Sequence, residues 1–88
     1  EYVVNTGRKE SFPAVNLNYS YWTAANLRKV DFRKKSLIHS NFVVSTMFQT
    51  IFDESDLSDS NLSNSECEEC SLKNTKLKNS LFYKANFE

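Results

Sequence analysis

Every fifth residue from Phe12 onward is apolar: Phe12, Leu17, Trp22, Leu27, Phe32, Leu37, Phe42, Met47, Phe52, Leu57, Leu62, Cys67, Leu72, Leu77, Phe82 and Phe87. The register does not slip over these sixteen positions, which take six of the seven Phe and seven of the eight Leu. Two residues before each stands a second column, mostly of small side chains: Val15, Ser20, Ala25, Val30, Ser40, Ser45, Thr50, Ser55, Ser60, Ser65, Cys70, Thr75, Ser80 and Ala85, broken at Glu10 and Lys35. Between the two columns lies Asn or Asp in seven units, at Asn16, Asn26, Asp31, Asn41, Asp56, Asn61 and Asn86.

A period of five suits neither a continuous α-helix, which repeats every 3.6 residues, nor a continuous strand, which repeats every two. Within one unit, however, the small and the large residue are two apart. They face the same way in extended chain, and the residue between them points opposite. The remaining two residues must turn the corner so that the next unit again points inward. Such a chain winds into a solenoid whose narrow axis is filled by alternating small and large side chains. The single Gly and single Pro predict corners built from ordinary residues at negative φ, because turns at positive φ favour Gly.

Units such as Ala25-Asn26-Leu27-Arg28-Lys29, Ser55-Asp56-Leu57-Ser58-Asp59, Ser60-Asn61-Leu62-Ser63-Asn64 and Ala85-Asn86-Phe87 resemble the A(D/N)LXX unit of the pentapeptide-repeat family. The resemblance runs over residues 10–88. It implies an all-β fold, a right-handed quadrilateral β-helix (a β-solenoid) with four units, hence 20 residues, per coil, and about four coils. At roughly 4.8 Å per stacked strand the tube would be about 20 Å long. Residues 1–9 depart from the pattern, with Gly7 in a large-apolar slot, and are expected to form an N-terminal flap or partial cap.

Charge supports the 20-residue coil. The chain is neutral overall, with 11 Lys plus Arg against 11 Asp plus Glu. This disfavours a globally basic nucleic-acid binder. Sorted by coil, residues 10–29 carry +1, 30–49 carry +2, 50–69 carry −7 and 70–88 carry +3. At a spacing of 20, Arg33, Asp53 and Lys73 alternate in sign, as do Lys34 with Glu54 and Asp56 with Lys76. These are expected to pair between stacked strands.

Residues with chemical potential sit in structural slots. Cys67 and Cys70 form a CxxC, readable as a redox pair, a disulfide or half a zinc site. Both fall on inward columns, so the expectation is two reduced, buried thiols serving as small hydrophobes, with no metal site. His39 lies at a corner 20 residues before Asp59 and is expected to be the exposed half of a His–Asp stack rather than a catalytic base. No nucleophile, base and oxyanion set can be assembled, so no catalytic residue and no cofactor are expected, and the chain reads as a non-enzyme. Asn18-Tyr19-Ser20 and Asn61-Leu62-Ser63 match the glycosylation pattern, as a composition rich in Asn and Ser produces by itself.

Two surfaces stand out. The third face of each coil presents Tyr21, Thr23, Ala24; Asn41, Val43, Val44; Asn61, Ser63, Asn64; and Leu81, Tyr83, Lys84, with one charge in twelve outward positions, while Ile38, Phe48 and Ile51 adjoin it. Exposed apolar surface of this kind marks a contact site, or merely reflects the β-propensity of such residues. The candidate protein-binding face is therefore Tyr21, Val43, Val44, Phe48, Leu81 and Tyr83. The second surface is an acidic patch of Glu66, Glu68 and Glu69. Some members of the family that the repeats resemble bind DNA gyrase by imitating duplex DNA. This implies an alternative function, a DNA mimic acting on gyrase or another basic partner through the acidic third coil, against which stand the neutral total and the short tube.

The leading expectation is thus a non-catalytic protein-interaction or scaffold module, with a protein partner and no direct nucleic-acid or membrane contact. No apolar run approaches the roughly 18 residues needed to span a bilayer, and no charged-then-apolar leader is visible. The expected location is cytoplasmic, with a secreted effector as alternative. The chain begins with Glu1 and stops one residue after Phe87. A solenoid end without a cap exposes core and strand edges, so the expectation is a piece of a larger bacterial protein, or a homodimer through the uncapped C-terminal coil.

Overall fold

The structure, a computed structural model, describes residues 16–88 together with the backbone of Asn5–Thr6. Each five-residue unit does the same work. The residue before the large apolar one makes a parallel bridge to the residue 20 further on: Asn16 to Ser36, Tyr21 to Asn41, Asn26 to Thr46, and so on to Glu66 with Asn86. Successive coils are therefore 20 residues long and stack as parallel strands. Around Phe42 the bonding reads Phe42 N–H to Asn61 C=O at 2.7 Å, Val44 N–H to Ser63 C=O at 3.1 Å, and Asn61 N–H to Ser40 C=O at 3.0 Å. The contacts are short because each straight run is short, so a β-helix results with few extended strands.

Strand β1 (Asn5–Thr6) pairs in parallel with β2 (Asn26–Leu27), in the register Asn5 to Asn26 and Thr6 to Leu27. That offset is 21, one more than between all later coils, which accords with the break in the sequence pattern around Gly7. The expected flap over residues 1–9 otherwise lies outside the described residues, as does central residue Phe12.

The corners differ from the expectation of negative φ. Each turn runs from the large apolar residue to the next small one, as in Ala25 N–H to Trp22 C=O at 3.0 Å. Its third residue has φ between 56° and 63° in all fourteen described cases, Tyr19 through Lys84, and none is Gly. A positive φ at that place defines a type II turn. For an L-residue it costs roughly 1–2 kcal/mol. The turn bond offsets that cost, together with a ladder bond from the same strained residue, such as Ala24 N–H to Val43 C=O at 2.9 Å, and with an Asx bond. In all seven units with Asn or Asp before the large residue, the side-chain oxygen accepts the N–H two residues on: Asn16 from Asn18, Asn26 from Arg28, Asp31 from Arg33, Asn41 from Val43, Asp56 from Ser58, Asn61 from Ser63 and Asn86 from Glu88. Asn and Asp recur there because they grip the first turn residue.

Inside the tube the large residues from Leu17 to Cys67 are buried. Rings on one side stack with their 20-residue neighbours, Phe32 on Phe52 at 5.3 Å and Trp22 on Phe42 at 6.2 Å, while rings from opposite sides meet edge-on, Phe32 with Phe42 at 6.0 Å and Phe42 with Phe52 at 5.7 Å. Small-column hydroxyls donate to backbone carbonyls, in their own turn (Ser45 to Phe42, 2.7 Å) or in the preceding coil (Thr50 to Leu27, 2.6 Å; Ser60 to Leu37, 2.7 Å). Among the described residues no buried side-chain N or O lacks a partner. Burial does not extend to every central residue: Leu72, Leu77 and Phe82 are half-buried and Phe87 is 39% exposed.

Candidate binding faces

Outward side chains stand at three places in each unit, just before the large residue and at the two turn positions. Because the coils are in register, equivalent places stack in columns about 4.8 Å apart. On the third face Tyr21 is 50% exposed, Val44 54%, Leu81 57% and Tyr83 68%, whereas Val43 is half-buried. Asn61, Ser63 and Asn64 lie between the Val43–Val44 row and the Leu81–Tyr83 row, so the apolar surface is two patches with a polar row between them. Phe48 is not part of it. It is half-buried on the neighbouring face, around a depression lined by Arg28, Thr46, Phe48, Glu66 and Glu68.

Val44 is unusual for another reason. It is β-branched and holds φ at 61°, a conformation genuinely disfavoured for its shape. Equivalent corners use Asn64, Asn74 and Asn79, a residue type that tolerates this region.

The expected pairing of charges 20 apart is only partly found. Arg33 turns to Asp31 of its own unit, with Nε to Oδ1 at 3.0 Å and Nη2 to Oδ2 at 2.7 Å. The Asx geometry already brings that carboxylate to the Arg33 backbone, so the guanidinium finds it before it can reach the next coil. Asp53 instead accepts the Ser71 hydroxyl and the Lys73 N–H at 3.1 Å, as Asn18 accepts the Ser36 hydroxyl and the Ile38 N–H. Among the described residues Lys34 makes no ion pair with Glu54, nor Asp56 with Lys76. The expected His–Asp stack is present: His39 Nε2 lies 3.9 Å from Asp59 Oδ2, and the imidazole stacks on Tyr19 at 5.2 Å.

Cys67 and Cys70 face inward as expected, but they are joined in a disulfide rather than reduced. The reason is the turn. They are its first and fourth residues, which brings the Cα atoms to 5.3 Å, inside the range a disulfide spans. Cys70 Sγ also lies 2.8 Å from the Met47 carbonyl oxygen, where Thr50, Ser60 and Ser80 place their hydroxyls on the preceding coil. A bridged sulfur has no proton to give, so this is a close approach and not a hydrogen bond.

The profile of a family described as pentapeptide repeats matches residues 49–88 as 8 copies. Among solved structures, the pentapeptide-repeat protein Rfr23 from the cyanobacterium Cyanothece 51142 superposes with a TM-score of 0.83 at 18% identity, covering 89% of this chain and 54% of its own. This chain carries pentapeptide repeats over residues 49–88. It spans about half the length of Rfr23, and the shared fold is a right-handed β-helix. HetL, a pentapeptide-repeat protein involved in heterocyst differentiation regulation from the cyanobacterium Nostoc sp. strain PCC 7120, matches with a TM-score of 0.36 at 20% identity, over 81% of this chain and 38% of its own. No curated protein sequence matches. The family profile covers the half of the repeat protein in which every small slot from Thr50 to Ala85 holds Ser, Thr, Cys or Ala; Val30 and Lys35 occupy that slot earlier. Among the described residues no helix is long and apolar enough to cross a membrane.

The pentapeptide Asn/Asp position also sets a pH response. The Asp56 carboxyl lies below the ordinary aspartate pKa because Ser58 hydrogen-bonds its ionised form, burial opposes this, and the Lys76 charge adds to it. A depressed folded-state pKa contributes stability above the unfolded value, lost as pH falls through the folded one. Asp56→Asn, which keeps the Asx acceptor, is therefore expected to leave stability at pH 7 little changed and to reduce its loss on acidification below about pH 4, read from melting temperatures across pH 7 to 2.5.

Proposed function

We propose that this chain is a non-catalytic protein-interaction module that binds through its third face. The observation that carries this reading is Val44. A strained backbone is kept where something selects for it, and here the residue that holds it is 54% exposed rather than part of the core. Tyr21 and Val43 extend the same patch, and Leu81 and Tyr83 form a second apolar strip beyond Asn61 and Ser63. With Lys84 its single charge, the face suits a partner presenting an apolar, weakly charged surface, and the contact should be insensitive to salt. The duplex-DNA-mimic alternative rests on Glu66, Glu68 and Glu69, with exposed Glu54 apart from them on another face, because Asp53, Asp56 and Asp59 of the same coil are engaged within the chain.

Two variants test the reading. Val44→Asn should raise stability by about 1 kcal/mol through relief of backbone strain, seen as a higher urea midpoint, while lowering capture of the partner. Val43→Lys with Val44→Glu should abolish capture and leave the circular dichroism spectrum unchanged. If the captured proteins and the oligomeric state are the same for wild type and both variants, the third face is not the binding surface. If Val44→Asn destabilises the chain, Val44 is kept for the fold and the argument fails at its root.

A further inference from the structure

The fourth face, next to the one just described, has opposite charge at its two ends. Arg28 and Lys29 lie on one coil, Phe48 and Gln49 on the next, Glu68 and Glu69 on the one after, stacked by Lys29 N–H to Phe48 C=O and Gln49 N–H to Glu68 C=O, both 2.9 Å. Arg28 and Lys29 are exposed, and among the described residues neither has an acidic partner on its own chain. Glu69 accepts Gln49 Nε2 at 3.0 Å, which holds it toward the middle row. The half-buried ring of Phe48 forms the centre, with basic and acidic groups about one coil spacing to either side.

We propose that this face docks on the same face of a second copy, with the two coil axes antiparallel. A two-fold axis lying along the Phe48 row inverts the order of the coils. Arg28 then meets Glu68 of the second copy, Lys29 meets Glu69 of the second copy, and the two Phe48 rings meet at the axis. The arrangement is isologous, each charge pair occurring twice, around an apolar centre with a polar rim. The parallel arrangement would set Arg28 on Arg28 and Glu68 on Glu68, which like-charge repulsion rejects. The basic partner that the acidic patch suits is thus carried on the same chain, two coils away, and among the described residues the two groups form no ion pair within the chain. The face is small, at the low end of specific interfaces, so association is weak and carried largely by charge.

Sedimentation equilibrium on the 88-residue chain tests this. At about 0.02 M salt the wild type should dimerise with Kd on the order of 100 μM, weakening at least tenfold at about 0.5 M salt as screening shortens the reach of the charges. Arg28→Glu with Lys29→Glu, and separately Glu68→Lys with Glu69→Lys, should each weaken self-association at least tenfold. An equimolar mixture of the two variants should regain a dimer of wild-type affinity or better, since each interface then has one consistent set of complementary pairs. A wild type that stays monomeric to about 1 mM overturns the proposal, as does a mixture that fails to associate although both variants keep the wild-type circular dichroism spectrum. A dimer indifferent to both charge swaps but lost on Phe82→Glu would place the interface at the C-terminal coil and equally overturn it.

Discussion

Phe42→Ala is expected to destabilise the β-helix by about 3–5 kcal/mol, the range for emptying a fully buried aromatic site. Its ring touches Trp22 on one side and reaches across the axis to Phe32 and Phe52, so the void would open where aromatic side chains from both sides of the tube interlock. The backbone cannot close around it, because each coil is held in register by ladder bonds above and below. In a domain of this size the loss is a large part of the total stability. The single, buried Trp22 reports unfolding directly, so urea titration by fluorescence and by circular dichroism gives two independent readings. Phe82→Ala removes the same ring from a half-buried site and is expected to cost less than half as much. Equal effects at the two positions would mean that the core is not graded from the middle to the last coil. A loss below about 1 kcal/mol at Phe42 would mean that the tube collapses to fill its voids. Because each coil contacts only its neighbours, a weakened middle coil should also broaden the transition.

Ser60→Leu should be almost as damaging, for the opposite reason. Ser60 is buried in the small column, where its hydroxyl donates to Leu37 C=O at 2.7 Å and accepts Ser40 N–H at 3.0 Å. Leucine adds bulk to a filled site, costing about 1–3 kcal/mol, and removes both bonds of the hydroxyl, leaving Ser40 N–H and Leu37 C=O to the longer 3.3 Å turn bond between them, at about 0.5–1.5 kcal/mol more. Ser60→Ala isolates the second part, because it removes the hydroxyl without adding volume. The expected order in urea midpoint is wild type, then alanine, then leucine by a wide margin. Alanine as stable as wild type would show that the Ser20–Ser40–Ser60 column acts through size alone, although Ser20 and Ser40 place their hydroxyl oxygens 3.0 Å apart.

The period of five, the identity of the inward columns and the 20-residue coil were legible because each repeats many times, and a large side chain at Phe32 or Leu57 has nowhere to go in a winding chain but the axis. The His39–Asp59 stack was legible for the same reason, since a spacing of 20 is a spatial neighbour here. Other features were not. Tyr19, Val44 and Lys84 carry no local mark of positive φ. The ladder of the adjoining coil and the turn bond impose it, and both are long-range or cooperative. Arg33 prefers Asp31 to Asp53 because an Asx turn pre-positions the nearer carboxylate, which spacing alone does not reveal. The Cys67–Cys70 bond follows from the turn that places the first and fourth residues together, whereas the sequence pattern, which sets both on inward columns, leaves a bridge and two free thiols equally open.

By itself, then, the sequence determined which residues lie inside this β-helix, how long a coil is and where the charges fall along it, because a periodic pattern of apolar side chains has one way to bury itself. The tertiary structure decided how the corners are made, which neighbours the charges and thiols choose, that Phe48 joins Arg28 and Glu68 rather than Val44, and that the core thins toward Phe87. Those depend on angles and distances between coils, and hydrogen bonds a few tenths of an ångström apart in length choose among partners that sequence spacing leaves equivalent.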